Sequence, residues 1–160
     1  MTDGDRVGSG AIQPGPAELA AQLDRVMACA QGLIAAVPAP YVEHRVSGNG
    51  STIRETAYAV FRLSQAFADG MDLGRLFDSW LGAGVPAELR DGGDVARYGA
   101  LVRGRLAGWF EGAAPSEYAR VIETPAGPVS GGELLDRITR EATSQLRRLT
   151  AMLADIGIQP

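Results

Sequence analysis

The sequence predicts an all-α protein, a four-helix bundle with a long crossover connection. Three observations lead there. Four stretches of the 160-residue chain repeat apolar residues at helical spacing. Two of those stretches open on a hydroxyl residue followed three positions later by glutamate, the signature of a capping box. No series of short alternating segments suggests a sheet. Long connections between the four helices require at least one of them to cross the bundle.

The elements follow in chain order. Residues 1–15, MTDGDRVGSGAIQPG, are Gly-rich and aperiodic and read as a flexible N-terminal arm, leaving 16–160 as a single helical domain of a size that can bury a real core. The first helix, 16–37, opens at Pro16, whose fixed φ suits a first turn and whose missing N–H costs nothing there. Glu18 meets the positive end of the helix dipole. Leu19, Leu23, Val26, Met27, Ala30, Leu33, Ile34 and Val37 form its stripe, and Pro38 and Pro40 end it. Cys29, the single cysteine, has no internal disulfide partner; among alanines in this helix it reads as a buried, inert thiol.

After the loop YVEHRVSGNG, the second helix, 52–69, begins with a capping box of Thr52 and Glu55. Ile53, Ala57, Val60, Phe61, Ser64 and Phe67 make its buried stripe, and Gly70 closes it. MDLGRLFDSWL reads as a short extra helix, broken by GAGVP. The third helix, 94–111, offers Val95, Tyr98, Leu101, Val102, Leu106, Trp109 and Phe110 to the core. YARVIETPAGPVS is the one extended-looking stretch, either a long loop or a lone hairpin. The last helix, 131–156, starts with the second capping box, Ser130 and Glu133. Its stripe is Leu134, Leu135, Ile138, Ala142, Leu149, Met152, Leu153 and Ile156, and Gly157 ends it.

Composition narrows the function. Apolar residues make up 46% of the chain and charged residues 21%, the balance of a globular protein. A net charge of −4 argues against nucleic acid as a partner, because phosphate binding needs a basic face. No run is apolar enough to cross a membrane, and the N-terminus lacks the basic-then-apolar pattern of a secretory signal, so a cytoplasmic location is expected. All 15 basic residues are arginine, which rules out Schiff-base chemistry through lysine. With the abundance of Ala and Gly, this usage suggests a GC-rich genome and, by association alone, a natural-product pathway.

The last helix poses a question. On a wheel of about 100° per residue, Gln145 falls near the middle of its apolar stripe and Glu141 at the edge, one turn away. A buried, unpaired amide costs roughly 1–3 kcal/mol, and a carboxylate more. Two readings stand: a polar pair satisfied within the bundle by Tyr, Arg or water, or two groups lining a cavity that holds solvent or ligand.

Two segments carry a resemblance. STIRETAYAVFRLSQAF resembles the second helix, and SGGELLDRITREATSQLRRLTAMLADIGIQP the last helix, of the DinB-like superfamily, metal-binding four-helix bundles that include bacillithiol and mycothiol S-transferases. The family pattern in the second helix resembles Ser-Ile-Arg-Asp-Leu-x-x-His-Val-Phe-Arg-Leu. In the last helix it carries His-x-x-x-His. The resemblance implies a DinB-like bundle and three histidines around a divalent metal. Here those positions are Ala59, Glu141 and Gln145. Alanine cannot ligate, a glutamine carbonyl is a poor ligand for zinc or nickel, and one carboxylate does not hold a transition metal alone. The expectation is therefore no metal and no cofactor, with Glu141 and Gln145 standing in an old active-site cavity.

Further candidates surround that cavity. His44, the one histidine, can serve as a general acid or base, and the resemblance puts its loop toward the cavity mouth; a solvated loop histidine is the plainer reading. Tyr41 either faces the cavity or staples the loop. Tyr58 is a candidate pocket wall, Trp80 a candidate lid, and Ala59 would leave room for a ligand. Phe61, Phe67 and Trp109 read as core. Arg62, Arg147 and Arg148 read as surface pairs.

Three functions follow. The first is a metal-independent enzyme, with Glu141 as a buried acid–base group acting on a small, largely apolar metabolite by isomerisation, cyclisation or dehydration. The second is a non-catalytic protein that binds or sequesters a small molecule. The third is a thiol transferase with unusual metal ligands. A homodimer is expected from the resemblance.

Overall fold

The structure, a computed structural model, describes residues 14–46, 50–82 and 84–158. The expected N-terminal arm, apart from Pro14 and Gly15, lies outside the described residues. The chain there forms α1 (Pro16–Ala35), α2 (Ile53–Leu73), the one-turn α3 (Asp78–Leu81), α4 (Gly92–Gly112), a hairpin of β1 (Val121–Thr124) and β2 (Gly127–Ser130), and α5 (Gly131–Asp155).

The four long helices are the ones the apolar spacing predicts. Thr52 and Ser130 cap α2 and α5 through complete capping boxes with Glu55 and Glu133. A third box, unforeseen, starts α4: Asp91 accepts from the Asp94 amide at 2.8 Å, and Asp94 returns the bond to the Asp91 amide. The Arg90 amide also donates to Asp94, and this bond is the main reason its carboxyl sits below the usual range.

Packing makes α1 and α2 diagonal corners, each flanked by α4 and α5. Tyr58 stacks on Tyr98 and Phe67 meets Trp109, so α2 and α4 run parallel. Two parallel neighbours need a crossover, and residues 74–91 supply it, passing through α3. Thr56 reaches Met152, and Gly70 faces Leu134, so α5 runs antiparallel to α2. The core between them includes Phe61, Phe67, Leu23, Ile53, Leu106 and Leu149, all fully buried.

Several expectations need correction. Helix α2 does not close at Gly70 but runs on to Leu73, and Gly74, at φ +76°, is the left-handed cap. Of the two forms expected for the extended stretch, the hairpin is the one found, with Val121 opposite Ser130 and Thr124 opposite Gly127. It is stitched to the crossover: the Leu76 amide donates to the Glu123 carbonyl at 2.7 Å, and the Glu123 amide to Gly74 at 3.1 Å. Leu101 is 75% exposed, because it points roughly 130° away from the α4 face that holds Val95, Gly99, Val102 and Leu106. Cys29 is exposed as well, about 100° from the centre of the buried arc of α1.

Candidate functional site

Helices α2 and α5 pack against each other, and residues of both line a groove beside their contact. Ala59 on α2 presents only a methyl group there. Across from it stand Gln145 and, one turn earlier on α5, Glu141, about 6 Å along the axis. The groove measures about 730 Å³. Leu63, Leu134 and Ile138 form an apolar floor, α3 contributes Asp78 and Leu81 as a side wall, and the hairpin turn closes one end with Thr124, Pro125 and Ala126. The volume is that of a typical small-molecule site, and the lining has the usual character, apolar with a few polar groups.

The sequence-derived candidates divide into two groups. Ala59, Glu141 and Gln145 converge on the groove. His44, Tyr41 and Tyr58 do not reach it. The His44 Nε2 lies 3.4 Å from Asp155 at the far end of α5, 14 residues and therefore about 21 Å from Glu141 along the helix. Tyr41 sits in the one-turn 3-10 helix Ala39–Tyr41 and is 46% exposed. Tyr58 is buried on the opposite flank of α2, its ring 5.3 Å from Tyr98. One residue's step, about 100°, turns Tyr58 toward α4 while Ala59 faces α5. Trp80, the candidate lid, lies in α3, but its indole packs edge-on to Phe77 at 5.0 Å, and its neighbours Asp78 and Leu81 line the groove instead.

Glu141 also corrects an expectation. It lines the groove from an exposed position on the rim, not from a buried one, because the hairpin and α3 wall the groove without roofing that turn of α5. Gln145 is half-buried.

Arg137 and Arg140 also line the groove and escaped the sequence reading. Arg137 lies one turn before Glu141, so the helical repeat of 137, 141 and 145 was available as a signal. Arg140 is engaged by Asp136 at 2.5 Å. Asp78 and the hairpin turn carried no such signal, since their place depends on the crossover folding back.

A metal does not fit the donors present. At the three converging positions a methyl group, a carboxylate and an amide replace what would have to be strong ligands. Among the described residues no three His, Cys, Asp or Glu side chains come close enough together to hold an ion. Among the described residues no helix is long and apolar enough to cross a membrane either.

Comparison with known proteins places the architecture. No protein-family model matches the chain, and no curated protein matches it either. Among solved structures it is similar to the DinB-like protein YjoA of Bacillus subtilis, with a TM-score of 0.68 over 89% of this chain and 94% of that one, at 12% sequence identity. That superposition gives the chain a DinB-like fold.

Proposed function

We propose that this protein binds a small, largely apolar organic molecule in the groove between α2 and α5, and does so without a metal. The observation that carries the reading is the groove itself: about 730 Å³ over an apolar floor, opened by Ala59 and edged by Glu141 and Gln145. Their donor set supports metal independence, and a divergent thiol transferase that needs a metal is correspondingly disfavoured.

A thermal-shift screen of a small-molecule library tests the reading. Ligands should raise the Tm of the native chain, by about 2.7 kcal/mol of added stability at a hundredfold excess over Kd. The same ligands should leave the Ala59→Trp variant unmoved, because the indole fills the groove. Hits that stabilise both proteins equally would overturn it.

A second reading, metal-independent acid–base catalysis by isomerisation, cyclisation or dehydration, draws on Glu141 and Gln145 standing one turn apart over the same floor. Once a ligand that turns over is in hand, Glu141→Gln should lower the rate by about 10²–10⁴. An unchanged rate would take Glu141 out of the chemistry, and a ligand that is bound but never turned over would leave binding alone. A homodimer is a separate expectation, drawn from the resemblance alone; light scattering should then give twice the 16.8 kDa chain mass.

A further inference from the structure

We infer that the groove selects a zwitterionic amphiphile, a molecule with an ammonium and a carboxylate at one end of an apolar body. The inference rests on the reading that the groove binds small molecules, and it comes from the charges on the groove edge. Arg137 and Glu141 both line the groove, four residues apart on α5. Opposite charges at that spacing ordinarily meet on the helix surface, better when the acid comes first. Asp136 and Arg140 have the favourable order, and they pair at 2.5 Å. Arg137 and Glu141 have the reverse order, and among the described residues no ion pair joins them to each other or to Asp78.

The groove therefore presents one uncompensated guanidinium and two uncompensated carboxylates, since Asp136 already answers Arg140. A simple anion would meet Arg137 but face Glu141 and Asp78. A simple cation would meet those carboxylates but face Arg137. A ligand carrying both charges answers both sides: its carboxylate takes the Arg137 fork, for which a guanidinium is well shaped, and its ammonium takes Glu141. Its apolar body lies on Leu63, Leu134 and Ile138. The charged rim is exposed, so each contact has a modest effect, and the selectivity comes from matching two signs at once.

Four probes with the same carbon chain test this: 2-aminodecanoate, decanoate, decylamine and decanol, each titrated calorimetrically below its micellar concentration. The zwitterion should bind most tightly. Arg137→Gln should weaken 2-aminodecanoate and decanoate about three- to fivefold and leave decylamine equal or tighter, while Glu141→Gln should weaken 2-aminodecanoate and decylamine by a similar factor and leave decanoate equal or tighter. Both positions are exposed on a helix, where glutamine is well tolerated. If decanol or a singly charged probe binds as tightly as the zwitterion, and Ala59→Trp abolishes that binding, the charge selectivity is wrong while the groove reading stands. If no probe shows binding sensitive to Ala59→Trp, the inference fails, and the groove reading loses its support with it.

Discussion

Gly99 and Gly104 are five positions apart on α4, yet a methyl group would meet very different surroundings at the two sites. A Cβ on Gly99 would stand 2.5 Å from the Cζ of Phe61, a ring with no exposed surface to retreat to. A Cβ on Gly104 would meet nothing within 4 Å. Gly99→Ala should therefore destabilise by about 1–3 kcal/mol through overpacking. Gly104→Ala should stabilise by roughly 0.5–1 kcal/mol through helix propensity. Urea unfolding of both variants gives the signs directly. A second residue-level prediction concerns alkali. Burial, with the Tyr58 hydroxyl beside it, pushes the Tyr98 phenol up to about 12 from an ordinary 10. Between those values the unfolded chain has lost the proton and the folded chain keeps it, so stability should fall as pH rises from about 10 to about 12, by on the order of 2 kcal/mol. The chain has no lysine, and Tyr118, also pushed up by burial, adds a smaller contribution in the same direction. Tyr98→Phe should flatten the decline in urea midpoint across it. At this scale the sequence was readable where helical phase decides, as for Gln145 and Glu141 on one side of α5. It misled at Cys29 and Leu101, where an apolar residue in a helix was taken as a buried one although its angle pointed outward.

Helix α2 was recognisable by its start and misjudged at its end, for one physical reason. A cap is a local motif: the buried Thr52 hydroxyl accepts from the Glu55 amide at 3.0 Å, and both residues stand in the sequence at the required spacing. Thr52→Ala should cost about 1–2 kcal/mol in urea unfolding, the upper part of the range for a cap because this one is buried. A helix end that depends on choosing between Gly70 and Gly74 is not local. Gly70 stays helical, packed near Leu76 and Leu134, and only Gly74 takes a positive φ. The hairpin was equally undecidable from its own residues, since its docking is fixed by Leu76 and Gly74 from the crossover. The relation between α2 and α5 yields a constructive test. If Ala59, Glu141 and Gln145 share one groove, the combined variant Ala59→His, Glu141→His and Gln145→His should gain about one zinc per chain, whereas the native chain should retain none after dialysis. Elemental analysis reads both, and a folded variant that binds no zinc would show that the three positions do not converge.

The molecule as a whole is a DinB-like bundle with a groove lined by two of its helices. The bundle was legible because four long amphipathic stretches admit few arrangements, and the three converging positions were legible through the resemblance carried by α2 and α5. The remaining groove wall was not. Asp78, Leu81 and the turn at Thr124–Ala126 come from connections whose path is set by tertiary packing, and His44, adjacent to α2 in sequence, ends beside Asp155 at the other end of α5. The central claim is that small molecules occupy this groove. A crystal structure with a ligand from the thermal-shift screen tests it most directly. Density between Ala59, Ile138 and Gln145, with a polar end near Glu141, is the result expected. Density confined to another surface, such as the shallow cleft between α1 and α5 near Val26 and Leu146, would contradict it.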